Sequence, residues 1–182
     1  GEPRCFYLDG PGGSGKTFLY KTLLAFVRGR DQIALPFATT GIAATLLKGG
    51  RTVHSGFALP LDLQDDSVAR MKLDSQEANN LRDATLILGD EFTMLAKDGL
   101  RCIDLLLKDI MQNQRPFGGK VIVIGGDFRQ TLPVVPRGSR ADILERCIKS
   151  SPLWRTFRPL TLVANMRSEG QQAHNEWLLQ VG

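Results

Sequence analysis

Residues 10 to 17, Gly10-Pro11-Gly12-Gly13-Ser14-Gly15-Lys16-Thr17, fit the pattern G-x-x-x-x-G-K-[ST] at every position, and few short patterns restrict a fold as strongly. Glycines let the backbone curl until successive amides point inward at phosphate oxygens. The helix that must follow adds the partial positive charge of its N-terminus to the same spot. Lys16 reaches the β- and γ-phosphates, and the Thr17 hydroxyl suits Mg²⁺. The mechanism also demands a strand before the loop and a helix after it. Cys5-Phe-Tyr-Leu8 is a short apolar run, and Lys16 to Val27 carries Phe18, Leu19, Leu23, Leu24, Phe26 and Val27 at helical spacing. A chance glycine-rich turn would not need either flank.

The rest of the chain continues the alternation. Ile33–Phe37, Leu86–Leu88, Val121–Ile124 and Leu160–Leu162 read as further strands. Thr40–Leu47, Leu100–Met111 and Gln171–Val181 read as helices. Continuous apolar strands separated by helices predict a mostly parallel sheet covered by helices on both faces, an α/β doubly wound domain of the P-loop NTPase (RecA-like) type. The single lobe spans 1–182, with an exposed insertion or long loop expected near 58–80, where Asp62, Asp65, Asp66 and Asp74 show little periodicity. Pro133, Pro136, Pro152 and Pro159 predict a partly irregular connection over 133–159.

Composition narrows the class further. With 182 residues, 42% hydrophobic and 23% charged, the chain suits one soluble domain with a full core. No apolar run approaches the roughly 20 residues of a membrane-spanning helix. Cys5, Cys102 and Cys147 lie far apart with only His54 and His174 beside them, which argues against structural zinc and for buried, reduced thiols. Residues 1–90 balance ten basic against ten acidic side chains. From Arg115 to Arg167, ten basic residues face only Asp127, Asp142 and Glu145. Such an excess suits a phosphate backbone, or equally a solvated face. The first residue is Gly1, and the chain reads as a piece of something longer.

Leu86-Ile-Leu-Gly-Asp-Glu91 is a hydrophobic strand ending in adjacent acids. Downstream of a phosphate loop, Asp90 suits the Mg²⁺ shell, and Glu91 suits orienting and deprotonating the attacking water. A carboxylate base implies hydrolysis, because a kinase would present a pocket for an acceptor hydroxyl instead. Val121-Ile-Val-Ile124 likewise runs into a polar tip, Asp127 to Gln130.

Taken together, these motifs resemble the Pif (petite integration frequency) family of superfamily 1 DNA helicases, and within it most closely the helicase region of Helitron transposons. The resemblance covers nearly the whole chain. It includes the phosphate loop, Ala38-Thr-Thr-Gly-Ile-Ala-Ala44, Thr52-Val-His-Ser-Gly-Phe57, Asp90-Glu-Phe-Thr-Met94, Gly126-Asp-Phe-Arg-Gln-Thr-Leu-Pro133 and Leu162-Val-Ala-Asn-Met-Arg167. It implies an ATP- and Mg²⁺-dependent DNA helicase moving 5′ to 3′ on single-stranded DNA, in replication, repair, recombination or telomere maintenance, or in transposition if a mobile element encodes it. Gln130 matches the glutamine that senses the γ-phosphate, and Arg167 an arginine that stabilises charge on it. Thr39, Thr40, Gly41, His54 and Phe57 match single-strand contacts, with Arg129 an additional candidate. For Ala43, Ala44, Phe57 and His54 a place in the core is an equal alternative.

The strand-end motif departs from the family in two places. Gly89 stands where a bulkier residue is expected, and Phe92-Thr93 stand where small residues are usual. The second motor lobe is also missing, so this lobe alone is expected to bind nucleotide, hydrolyse it poorly and not unwind DNA. A full-length chain would supply that lobe as partner. The setting implied is intracellular, nuclear or mitochondrial, with no membrane partner. Competing readings are a P-loop ATPase remodelling a non-nucleic-acid partner, and a degenerate transposon-derived domain that binds DNA without turnover.

Overall fold

The computed structural model describes residues 1–11, 15–129 and 132–162. Gly12, Gly13, Ser14, Gln130 and Arg167, and the helix expected over Gln171–Val181, lie outside the described residues. Among those described, six strands form one sheet: β1 (Cys5–Asp9), β2 (Ile33–Ala38), β3 (Arg51–Thr52), β4 (Ala84–Asp90), β5 (Ile122–Gly126) and β6 (Phe157–Thr161). They lie in the order β3-β2-β4-β5-β1-β6, and each neighbouring pair is parallel. The helices are α1 (Lys16–Arg28), α2 (Gly41–Thr45), α3 (Val53–Gly56), α4 (Gln76–Asp83), α5 (Lys97–Met111) and α6 (Arg140–Arg146). No helix among the described residues is long and apolar enough to cross a membrane.

Alternation along each strand divides the core between two faces. Leu8, Ala34, Leu86, Leu88 and Val123 meet Tyr20, Leu24 and Val27 of α1 on one side. Tyr7, Phe37, Ile87, Ile122 and Ile124 meet Leu100, Ile103, Leu107 and Ile110 of α5 on the other. Both faces are covered, which is why the strands read as unbroken apolar runs. The chain leaves β1 toward β2 on one flank and later returns past it to lay β6 on the other. In open α/β sheets, the crevice outside the strand ends at such a reversal is where ligands bind.

The elements that the sequence pattern does not show are the short ones: β3, α3, α4 and α6. Of these, α6 had a signal. Ser139 accepts from the Asp142 N–H while Asp142 Oδ2 accepts from the Ser139 N–H, a capping box. The acid-bearing stretch 58–80 is mixed. Leu61 is 94% exposed, but Leu59 and Leu63 insert into the core, and Arg101 donates to the Gln64 and Ser67 carbonyls. All three cysteines are free and buried.

One buried acid fastens the connection from α5 to β5. The Phe117 N–H donates to Asp104 Oδ1 at 2.7 Å, and Lys108 Nζ lies 2.8 Å from Oδ2. Phe117 is fully buried with φ at 52°, so this bond holds a residue in a conformation its side chain disfavours. Asp104→Ala strands a buried N–H and half of an ion pair. We expect it to lower the unfolding free energy by about 2–3 kcal/mol in denaturant titrations. A loss under about 0.5 kcal/mol would show that the connection is held by packing alone.

Candidate functional site

The carboxyl ends of β1, β4 and β5 converge on the turn that opens α1. Gly15 caps that helix at φ 92°, ψ 13°, a left-handed conformation that favours glycine, and it brings no side chain to cap the amides of the first turn. The Lys16 ammonium donates back to the Gly10 carbonyl and, at 3.1 Å, to that of Pro11. Burial holds Lys16 below the ordinary lysine value, against the opposing charges of Asp127, Asp90 and Asp9. Gly10, Pro11, Gly15, Lys16 and Thr17 thus stand at one strand-to-helix turn, with three acids close enough to act on the lysine.

Asp90 ends β4, and Glu91 follows at φ 55°, ψ 32°, unusual for a residue with a side chain. Four bonds hold the kink. The Glu91 N–H donates to Asp90 Oδ1 at 2.8 Å, and the Met94 N–H and Thr39 hydroxyl donate to the Glu91 carbonyl at 3.0 and 2.9 Å. Thr40 Oγ1 donates to Glu91 Oε2 at 3.1 Å. Burial pushes the Asp90 carboxyl above its ordinary value, and the charge of Glu91 adds to this. The Glu91 N–H, Lys16 and Tyr20 oppose the shift. The Tyr20 hydroxyl is fully buried and lies close enough to influence Asp90, yet makes no bond of normal geometry to the described residues.

Glycines at the strand ends make this packing possible. A Cβ on Gly125 would come within 1.8 Å of the Tyr20 hydroxyl. One on Gly89 would come within 2.3 Å of the Phe92 ring, and one on Gly126 within 2.7 Å of the Thr93 side chain. The two departures from the family pattern therefore compensate each other. Phe92, 3% exposed, fills the volume that Gly89 vacates, and Thr93, fully buried, fills that above Gly126.

At the end of β5, Asp127 is buried. The Arg129 N–H and Nε both donate to its Oδ1 at 3.0 Å. Burial works to raise its carboxyl, but those bonds outweigh it and hold the group below the usual range. The Tyr7 hydroxyl donates to the Gly126 carbonyl at 3.2 Å, and Tyr7 packs between Phe128 and Trp154, with ring centroids 5.6 and 4.7 Å away. Tyr7, Tyr20 and Thr93 are site-shaping residues that sequence reasoning missed. The pair Gly125-Gly126 marks a tight strand end, but nothing in the sequence names the side chains that fill it.

The residues expected to meet DNA separate into groups. Thr39 and Thr40 sit against Glu91, and Gly41 opens α2 on the surface. Arg129 is paired with Asp127 while keeping its side chain 67% exposed. Phe57 corrects the expectation: at 1% exposure, with its ring 4.3 Å from that of Phe37, it is core and offers no face to a base. His54 is half-buried on α3, and burial holds its imidazole below the ordinary value of 6.5.

Two predictions follow from this packing. Gly89→Ala should cost about 1–3 kcal/mol of stability by overpacking against Phe92, and a second change, Phe92→Leu, should recover part of that loss. Strictly additive losses would show that the two residues do not share the space. For His54, a depressed folded value means that the unfolded chain binds the proton more readily. Its contribution is present above the ordinary value and is lost as pH falls through the lowered one. His54→Gln should therefore melt with a shallower loss of stability below about pH 6.5 than the parent. Parallel pH profiles for the two proteins would contradict this.

The comparisons with known proteins agree with this geometry. The model of the PIF1-like helicase family matches residues 1–182. The chain is 34% identical over 134 residues to an ATP-dependent DNA helicase Pif1 of a Psychrobacter strain, covering 72% of this chain and 20% of the relative. To the ATP-dependent DNA helicase PIF1 of Candida albicans it is 29% identical over 176 residues, covering 91% and 19%. Among solved structures, Bacteroides Pif1 bound to ssDNA superposes with a TM-score of 0.74 at 27% identity, covering 90% of this chain and 39% of that one. The Bacteroides complex with ADP-AlF3 and ssDNA gives 0.73 at 26%, covering 88% and 38%. The chain thus spans about a fifth of those curated relatives and under two fifths of those solved chains. With a parallel RecA-like sheet, a phosphate loop at its reversal point and a family match along its full length, the chain belongs to the PIF1-like helicase family.

Proposed function

We propose that this chain is the first motor lobe of an ATP-dependent DNA helicase, binding and hydrolysing Mg²⁺-ATP to drive 5′-to-3′ movement on single-stranded DNA. The observation that carries the reading is one junction. The segment resembling the family's strand contacts, Thr39-Thr40, is hydrogen-bonded directly to Glu91, beside the phosphate loop. A motor needs its track-binding surface and its hydrolytic group mechanically joined, and the bonds from Thr39 and Thr40 to Glu91 support that reading. The names of the similar proteins, and a neighbour solved with both ADP-AlF3 and ssDNA, support the same reading.

In this proposal Lys16 and the amides of Gly10 to Gly15 hold the phosphates, while Glu91 orients and deprotonates the attacking water. The donor set fits Mg²⁺. Thr17 and Asp90 offer only oxygen, and the described residues contain no cluster of three or more His, Cys, Asp or Glu that would favour a protein-caged metal. Bound there, the ion would neutralise phosphate charge. Gln130 and Arg167 complete the assignment by resemblance, on the γ-phosphate. The remaining partner is the second motor lobe of a full-length chain. The biological setting we infer is nuclear or mitochondrial DNA maintenance, covering repair, recombination, replication or telomeres.

The test is steady-state ATP hydrolysis by the two-lobed chain with and without single-stranded DNA, beside Lys16→Ala. We expect strong stimulation by DNA, and a loss of about 100-fold or more in the variant. Hydrolysis indifferent to DNA would point instead to an ATPase working on another partner. None at all in the parent would point to a binding domain without turnover.

A further inference from the structure

We propose that Thr40 is a positioning residue for Glu91, and that its hydroxyl is where strand binding is read by the nucleotide site. The inference rests on the motor reading above and adds to it the atom through which the two sites communicate. Parallel pairing of β2 with β4 sets Ala38 opposite Asp90, so the residues that follow each strand run side by side. The Thr39 N–H donates to the Asp90 carbonyl at 3.3 Å and the Thr39 hydroxyl to the Glu91 carbonyl at 2.9 Å, which locks the two segments at backbone level. On that base, Thr40 Oγ1 donates to Glu91 Oε2 at 3.1 Å while accepting the Ala43 N–H at 3.2 Å as the N-cap of α2.

The chemistry of a hydroxyl makes this arrangement a choice between partners. Thr40 has one proton to donate, and the bond to Glu91 uses it, while the cap takes one of its two lone pairs. A phosphodiester is a pure acceptor, so a strand phosphate arriving at the start of α2 can bond to Thr40 Oγ1 only by accepting the hydrogen bond that Glu91 now accepts. Gly41 and Ile42, the next residues, are exposed, and Ile42 is 82% so, which leaves that approach open. When the hydroxyl turns its proton to the phosphate, the Glu91 carboxylate loses its tether and is freed to turn toward water at the γ-phosphate. The kinked backbone of Glu91 stays in place, because Thr39, Asp90 and Met94 hold it independently. Strand binding thereby changes the reach of one carboxylate without moving the sheet.

The experiment uses the two-lobed chain with an oligothymidine strand, and reads ATP hydrolysis with and without DNA together with the affinity for a fluorescent ATP analogue. Thr40→Val removes both the donor and the cap, whereas Thr40→Asp keeps a capping acceptor and has no proton to give near neutral pH. Both should raise the DNA-free rate several-fold and bring the ratio of stimulated to unstimulated rate toward one, with affinity for the analogue within twofold of the parent. Thr40→Ser, which restores the donor, should bring the ratio back. Equal loss of both rates, or a parental ratio in both variants, would overturn the proposal. A parent that DNA does not stimulate would instead remove the motor reading itself.

Discussion

The site depends on how closely side chains approach the carboxyl ends of β4 and β5. Gly89, Gly125 and Gly126 present bare backbone there, and Phe92, Tyr20 and Thr93 occupy the volume that a Cβ would claim. The result is a buried floor, fully or almost fully shielded from water, beside Asp90, Glu91 and Asp127. That floor makes charge expensive, which is why Asp90 sits above its ordinary value and Lys16 below. A cation or a phosphate arriving there meets groups whose ionisation it relieves.

The backbone of Glu91 shows the same economy. A left-handed conformation at a residue with a side chain is tolerated only where surrounding bonds over-determine it. Here the β2–α2 junction supplies two of them through neighbouring threonine hydroxyls. Strand pairing, helix capping and the orientation of the Glu91 carboxylate therefore rest on the same few atoms. Hydrophobic burial builds the sheet, but the geometry of its upper rim is set by hydroxyls with a single proton each.

Much of this was legible in the sequence, for a reason that can be named. The phosphate loop requires a strand, a turn and a helix in fixed order, and unbroken apolar runs such as Val121–Ile124 signal a sheet covered on both sides. Short elements were not legible. β3 is two residues and α3 four, below the length at which periodicity says anything. Gly89 and Phe92 each looked like a departure when read alone, because their complementarity exists only after the chain folds. Phe57 shows the opposite failure. A motif segment resembling strand contacts left it balanced between the surface and the core, and its packing on Phe37 puts it in the core. Thr40 lay in a motif assigned to DNA, and nothing in the linear order reveals that it reaches a residue fifty-one positions away.

The position of β1 has a consequence for how the molecule is made. This strand carries the phosphate loop at its end, yet it lies between β5 and β6, paired on one side with Ile122–Gly126 and on the other with Phe157–Thr161. A ribosome delivers residues in order, so the first strand emerges long before either of its neighbours. Both edges of Cys5 to Asp9 stay unpaired until about residue 126 has been synthesised, and one of them until about residue 161. Sheet closure is consequently a late event dominated by contacts distant in sequence, the kind that forms slowly and leaves strand edges exposed in the interval. Nascent chains cut short before β6 would carry the complete phosphate-binding motif and still lack one of the two strands that flank β1.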